Sequence, residues 1–269
     1  MSAPDARRVV VTGTGVVAPN GIGRETFWQA CLQGVSGIKP LRRFPVDDLP
    51  IQVAGEIADF QAADYLERKF VQRTDRVTHF ASVAVAEALR DAQLDLAHED
   101  PRRVGTVIAN TLGGVEFVVE QIEALYTQGP RAMSAYTAIA WLQVANVGQI
   151  SLRHGLQGYS KTPVSDTAGG LEAMCMAASA IRRGTADVML SGGSEALLHP
   201  FFLLVFGHSG LSAPGHDPHS YRPFDQRASG LILAEGAGIC VLEEYEHARQ
   251  RHAQIYGEIL GSGSTHDAR

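Results

Sequence analysis

The sequence is short of three things, and each shortage excludes something. Cysteine occurs three times in 269 residues, at Cys31, Cys175 and Cys240. The three lie far apart, show no metal-type spacing and are odd in number, so neither a secreted disulfide framework nor a cysteine zinc site is expected; a reducing, cytoplasmic setting is. No apolar run approaches the roughly 20 residues of a membrane-spanning helix; the longest obvious one is Phe201 to Phe206, and no membrane partner is expected. Charged residues make up 19%, the formal net charge is −6 and the signs are interspersed. The doublet Arg7-Arg8 is too short to track a phosphate backbone, so nucleic acid is not an expected partner. That doublet and Val9-Val10-Val11 imitate the start of a signal peptide, but Thr12-Gly13-Thr14-Gly15 interrupt the apolar stretch and no cleavage site follows. Repeats, low-complexity tracts and Pro/Gly/Ser linkers are also missing.

What is present is apolar material, 45% of the chain, enough for a sizeable core. Short β-branched runs alternate with longer helical patterns, which predicts a layered α/β fold. The strand candidates are Val9 to Val17, Val104 to Ala109, Asp187 to Ser191 and Gly238 to Glu243. From Asp75 to Ala92, residues Val77, Phe80, Ala81, Ala84, Ala88 and Leu89 form one helical stripe, with Thr74 or Asp75 as the N-cap. A second helix is expected from Gly169 to Arg183, with Leu171, Met174, Cys175, Ala178 and Ile181 on one face and Gly184 as its stop.

Two glycine motifs carry the functional question. Gly13-Thr14-Gly15-Val16-Val17-Ala18 follows a predicted strand and formally fits a dinucleotide-binding pattern, but Pro19-Asn20-Gly21 stands where the phosphate-binding helix should run, and no acidic residue closes a second strand about 20 residues on. No cofactor is expected. Pro163 to Ala173 reads as a short extended segment turning into a helix through Ser165-Asp166-Thr167-Ala168-Gly169-Gly170. Such an elbow raises one side chain and aims the first helical amides at whatever that side chain attacks. An ordinary β–α turn is the plainer alternative. The glycine pair costs about 1 kcal/mol per residue in helix propensity, so close packing is the expected reason for it. The ten histidines show no paired metal spacing, and no metal is expected. His208, His216 and His219 are read as solvated loop residues. Cys31 and Cys240 are read as small buried hydrophobes, and Cys175, roughly 12 Å down the helix from Thr167, as a packing residue.

The elbow and motifs spread along the chain resemble β-ketoacyl synthases, specifically the chain length factors of type II polyketide synthases. They are Val9 to Gly21, Thr74-Asp75-Arg76, Ser134-Ala135-Tyr136 through Ala140-Trp141, Asn146 to Ser151, Arg153-His154-Gly155, Tyr221-Arg222-Pro223-Phe224-Asp225, and Ala234-Glu235-Gly236-Ala237-Gly238. The resemblance covers essentially the whole chain and implies a thiolase-like layered fold (α-β-α-β-α). The last stretch, Gly261 to Arg269, resembles the middle of such a fold. Residues 1–269 would form the N-terminal-type half with the start of the second, and another chain, or residues missing from this one, would complete it. Active members carry cysteine at the elbow tip, because a thiolate at a helix N-terminus is a nucleophile near neutral pH. Thr167 stands at that place. Its hydroxyl is far less acidic, and its β-branched side chain ill suits a strained turn. Chain length factors commonly carry glutamine there, so this sequence departs from that pattern too, and no role of the glutamine transfers.

The resemblance therefore implies a non-catalytic subunit, with no catalytic residue of its own. It would pair with a ketosynthase alpha subunit and shape the chamber for a chain delivered by an acyl carrier protein. The competing reading is a β-ketoacyl synthase or malonyl decarboxylase with an unusual elbow residue; a degenerate scaffold unconnected with polyketides is a third. After Asn110-Thr111-Leu112-Gly113-Gly114, Val115, Val118 and Ile122 fall on one helical face. Core packing is the plain expectation for them. The resemblance adds a second one, that they line the product tunnel.

Overall fold

The computed structural model describes residues 7–213 and 215–266; of the last stretch, Asp267, Ala268 and Arg269 lie outside them. Nine strands are present among the described residues: β1 (Val9–Ala18), β2 (Gly21–Ile22), β3 (Ile38–Pro40), β4 (Val53–Gly55), β5 (Val104–Ala109), β6 (Ser160–Lys161), β7 (Val188–Glu195), β8 (Gly236–Glu244) and β9 (Gly257–Glu258). The α-helices are α1 (Arg24–Leu32), α2 (Arg68–Val71), α3 (Arg76–Asp91), α4 (Val115–Gln128), α5 (Thr137–Ala140), α6 (Ala145–His154), α7 (Gly169–Arg182), α8 (Pro200–His208) and α9 (Tyr245–Gln250). All four predicted strands form, each within a few residues of the expected limits.

The main sheet runs β2-β1-β8-β7-β5-β6, with β9 also on β1; β3 and β4 make a separate hairpin. β1, β8 and β7 are antiparallel neighbours, whereas β7, β5 and β6 are parallel. Parallel neighbours need crossovers, and these are supplied by α4 to α6 between β5 and β6 and by α7 before β7. Period-two alternation divides the strand side chains between two helical layers. Val104, Ile108, Val188, Leu190, Ile239 and Val241 pack toward α3 and α6, while Val107, Met189 and Leu242 pack toward α7. The described chain is thus one α-β-α unit of the layered fold.

Gly13 and Gly15 serve packing. A Cβ at Gly13 would lie 2.3 Å from the Ala88 carbonyl oxygen, and one at Gly15 would lie 1.9 Å from that of Ala84. Only bare backbone lets α3 come this close. The approach lets two carboxylates of α3 serve the β1 backbone: Asp91 Oδ2 accepts from the Thr14 amide at 2.8 Å, and Glu87 Oε2 from the Val16 amide at 2.7 Å. Between its short pairings with β9 and β2, this strand would otherwise present unpaired amides.

Several expectations need correction. The predicted stripe of α3 is too narrow, since Thr78, His79, Ser82, Val83 and Val85 are buried as well: the helix is enclosed by α6 and the sheet. The inner face of α7 is an alanine rail, Ala173, Ala177, Ala178, Ala180 and Ile181, whereas Leu171 is 73% exposed and Cys175 and Met174 are half-buried. Small side chains allow close helix-to-sheet packing, so the larger residues project outward. Cys31 is exposed because α1 buries no residue, and Cys240 is only half-buried. His208 closes α8 and does not sit in the loop. Arg153-His154-Gly155 is a helix stop, with Gly155 left-handed at φ 66°.

A buried charge cluster ties the end of the sheet to α9. Glu243, fully buried, accepts from Arg251 at 2.5 Å, from the Thr12 hydroxyl and from His247 at 2.7 Å, and the other ring nitrogen of His247 is 3.0 Å from Glu99.

Candidate functional site

The parallel arrangement brings the C-terminal ends of β5 and β7, the start of β8 and the N-terminus of α7 to one edge of the sheet, which is where α/β folds place their sites. They enclose a cleft of about 340 Å³ lined by Asn110, Thr111, Asp166, Gly169, Gly170, Gly193, Ser194, Glu195, Glu235 and their neighbours.

The segment read as an elbow is a turn that enters α7. β6 ends at Lys161, an irregular stretch follows, and Asp166–Ala168 make a 3-10 turn that runs into α7. The expected direct passage from strand to helix is therefore replaced by this turn. The strained residue is Asp166, at φ 46°, and not Thr167. An aspartate tolerates the left-handed region better than a β-branched residue does, so the conformation falls where the sequence can hold it. Asp166, Gly169 and Gly170 line the cleft; Thr167 and Ala168 stand outside its lining and are exposed. The glycine pair has one steric reason: a Cβ at Gly169 would press to 3.0 Å on the Ala109 methyl, whereas one at Gly170 would meet nothing closer than 3.9 Å.

Charge in the cleft opposes nucleophile activation. Its ionisable lining residues are Asp166, Glu195 and Glu235, with no lysine, arginine or histidine among them. Glu195 accepts from the Thr111 amide at 2.8 Å and the Ala196 amide at 3.3 Å, yet burial pushes its carboxyl above the usual range, helped by the negative charge of Asp166. Arg76 neutralises Glu235, so Asp166 and Glu195 are the carboxylates that raise the cost of forming a further anion in the cleft. The Thr167 hydroxyl has no hydrogen-bond partner among the described residues. A buried neutral group also faces the cleft: Asn110 gives its amide to the Gln143 carbonyl at 2.7 Å, and its own Oδ1 is unpaired. No group of three or more His, Cys, Asp or Glu side chains among the described residues could hold a metal ion.

Only the root of the α4 stripe packs as core. Val115 packs beside Leu41, Leu197, Leu198, Leu203 and Leu233, Val118 is half-buried, and Ile122 is 46% exposed. The one buried residue of α4 is Glu116. It meets Arg43 at 2.7 Å, and the same guanidinium donates to the Leu198 carbonyl and lies 3.7 Å from Glu235. Glu235 in turn makes a paired contact with Arg76, at 2.7 and 2.8 Å, and accepts from the Ile57 amide at 2.9 Å. Burial holds the Glu116 carboxyl above the usual range even against Arg43.

Next to it, Asp75 caps two helices. One carboxylate oxygen accepts from the Val77 amide of α3 at 2.9 Å and the other from the Phe117 amide of α4 at 2.8 Å; burial pushes its pKa up to about 7 against those two bonds. The N-cap of α3 was legible in the sequence, but the second cap and the Arg43–Glu116 contact were not. Two motifs already singled out, Thr74-Asp75-Arg76 and Ala234-Glu235-Gly236, meet through the Arg76–Glu235 ion pair. Complementary charge inside two apolar-flanked motifs was the available signal.

Fold and elbow together define a thiolase-like condensing-enzyme unit. The chain belongs to the β-ketoacyl synthase family: the profile of the beta-ketoacyl synthase N-terminal domain matches residues 6–248. It is 44% identical over 271 residues to the tetracenomycin polyketide synthase ketoacyl synthase beta subunit of Streptomyces glaucescens, a match that covers all of this chain and 66% of that protein. Among solved structures it is similar to the ishigamide ketosynthase/chain length factor (TM-score 0.86, 28% identity, 95% of this chain, 63% of that one). It is also similar to the AntDE:AntF type II PKS acyl-carrier protein in complex with its ketosynthase bound to the hexaketide (TM-score 0.78, 31% identity, 95% and 67%). The chain spans just under two thirds of the length of the Streptomyces glaucescens protein. No helix among the described residues is long and apolar enough to cross a membrane.

Proposed function

We propose that this chain is the chain-length-factor subunit of a type II ketosynthase pair and transfers no acyl group itself. The observation that carries this reading is the elbow: an exposed threonine holds the nucleophile position, stands outside the adjoining cleft, and finds no histidine, lysine or arginine among that cleft's lining residues. A hydroxyl there has neither the low pKa nor the partner that activates a nucleophile. The similarity to a ketoacyl synthase beta subunit supports the same conclusion.

In this reading a ketosynthase alpha subunit covers the apolar surface of α4 to α6, where Tyr126, Ile139, Trp141 and Leu152 are exposed. An obligate interface buries surface of this kind. Val115, Val118 and Ile122 line the tunnel on that side, and the carrier protein delivers its chain through the complex. The outer face of α7, with Leu171 exposed, receives the complementary half of the layered fold from another chain or from further residues of this one. The complex works in the cytoplasm.

The test is co-expression with a ketosynthase partner, followed by turnover with malonyl-loaded carrier protein and intact-mass analysis of both chains. The expected result is a stable complex with acyl adducts on the partner alone. An acyl ester on Thr167 would establish the alternative, a synthase with an unusual nucleophile.

A further inference from the structure

Among the cavities, clusters and surfaces outside the elbow, the charged node at the root of α4 stands out. Glu116 is the one buried residue of that helix, and beyond Val118 the helix is largely open to solvent. Two consecutive residues are held by independent anchors. The Glu116 carboxylate is held by Arg43, and the Phe117 amide by Asp75. Arg43 is itself fixed from the opposite side by the Leu198 carbonyl just before α8, and Asp75 by its bond into α3. The node therefore joins α4 to α3, to the segment leading into α8 and, through Glu235 and Arg76, to the start of β8.

A helix pinned at two successive residues has its rotation and its exit angle set there. Successive side chains lie about 100° apart around the axis, so fixing Glu116 toward Arg43 fixes the direction of Val115, Val118 and Ile122 on the rest of the surface. Where packing is sparse, polar anchors of this kind determine which of several orientations is occupied.

We propose that Arg43, Glu116 and Asp75 are positioning residues for product length: they set the rotation of α4 and hence how far Val115, Val118 and Ile122 intrude into the chamber. The proposal rests on the reading of this chain as a chain length factor and adds to it the device that holds the wall in place.

The experiment uses the complex with the ketosynthase partner, fed malonyl-loaded carrier protein, with product lengths read by mass spectrometry alongside malonyl consumption and Tm. Glu116→Ala is expected to change the ratio of the main product to its neighbours, one two-carbon unit longer or shorter, about fivefold, with consumption within about twofold; that fivefold corresponds to about 1 kcal/mol. Glu116→Gln keeps an acceptor for Arg43 and is expected to restore the ratio. Ile150→Val in α6, which lowers Tm without touching the node, is the control for simple loosening.

An unchanged ratio in Glu116→Ala, or an equal change in Ile150→Val, overturns the proposal. If Glu116→Ala does not assemble, Arg43→Lys, which keeps the charge and gives up one of the contacts, is read in the same way: a shifted ratio supports the positioning role and an unchanged one overturns it. Val115→Phe separates the wall from the device that holds it. If it shifts product length while the node variants do not, the positioning role fails and the subunit assignment stands; if neither shifts it, both fail.

Discussion

Helices α3 and α4 begin at the same carboxylate and are held in opposite ways. Asp75 caps both. From there α3 runs between the sheet and α6 with ten buried residues, while α4 leaves the node with Glu116 as its one buried side chain. The first is fixed by dispersion and hydrophobic burial spread over its length, the second mainly near its root, by directional bonds to Glu116 and the Phe117 amide beside the packing of Val115, with the Gln121–Ser134 contact farther along. A helix of the first kind tolerates no change of volume. On the proposal above, one of the second kind is re-aimed by a single substitution without unfolding the domain.

The largest expected effect lies in α3. Phe80 is fully buried against Phe60, ring centroids 4.8 Å apart, under the Arg76 guanidinium. Phe80→Ala should cost about 3–5 kcal/mol by urea denaturation; a loss below about 1 kcal/mol would erase the contrast between the helices. Glu116→Ala should cost less, about 1–3 kcal/mol, since it leaves Arg43 with its Leu198 contact and some solvent.

Next comes pH. Asp75 is raised in the folded chain from 3.8 to about 7, so it holds its proton more tightly folded than unfolded. Its contribution to stability therefore falls as pH rises from about 4 to about 7 and is level above that. Asp75→Asn should flatten this part of a Tm-against-pH curve, and an unaltered slope would mean the carboxyl titrates normally. The α9 cluster adds a second descending limb at higher pH. Hydrogen bonding to Glu243 raises His247 from 6.5 to about 9, which stabilises the fold fully below about 6.5 and is lost as pH rises through about 9. Glu243 works on the acid side. Burial pushes its carboxyl up, but Arg251, His247 and Thr12 together hold it at about 2, so its contribution is present above about 4.5 and lost as pH falls toward 2.

The smallest expected effect is at the exposed end of α4. Ile122→Ser should change the stability of this chain by less than about 0.5 kcal/mol, while weakening its complex with the proposed ketosynthase partner in a pull-down titration. A large loss of stability in the isolated chain would show that Ile122 packs as core after all.

Much of the scaffold was readable because it depends on local pattern. Short β-branched runs identified β1, β5, β7 and β8, and Thr74-Asp75 announced the start of α3. The small-residue turn from Ser165 to Gly170, with threonine and no cysteine in it, was likewise visible in a few consecutive residues. The misreadings share one cause: Leu171 exposed on α7, Cys31 exposed on α1 and the strain resting on Asp166 all depend on which neighbours a residue meets, and periodicity says only that a face exists, not what covers it.

By itself the sequence determined four principal strands, the two long helices α3 and α7, and a threonine in the turn before α7, because each depends on the residue and its near neighbours in the chain. Only the tertiary structure decided that Arg43 finds Glu116, that Arg76 finds Glu235, and that one aspartate caps two helices. These partners lie 42 to 159 residues apart. A charge in a sequence has many complements, and the fold selects one by bringing it within hydrogen-bonding reach where solvent is partly excluded.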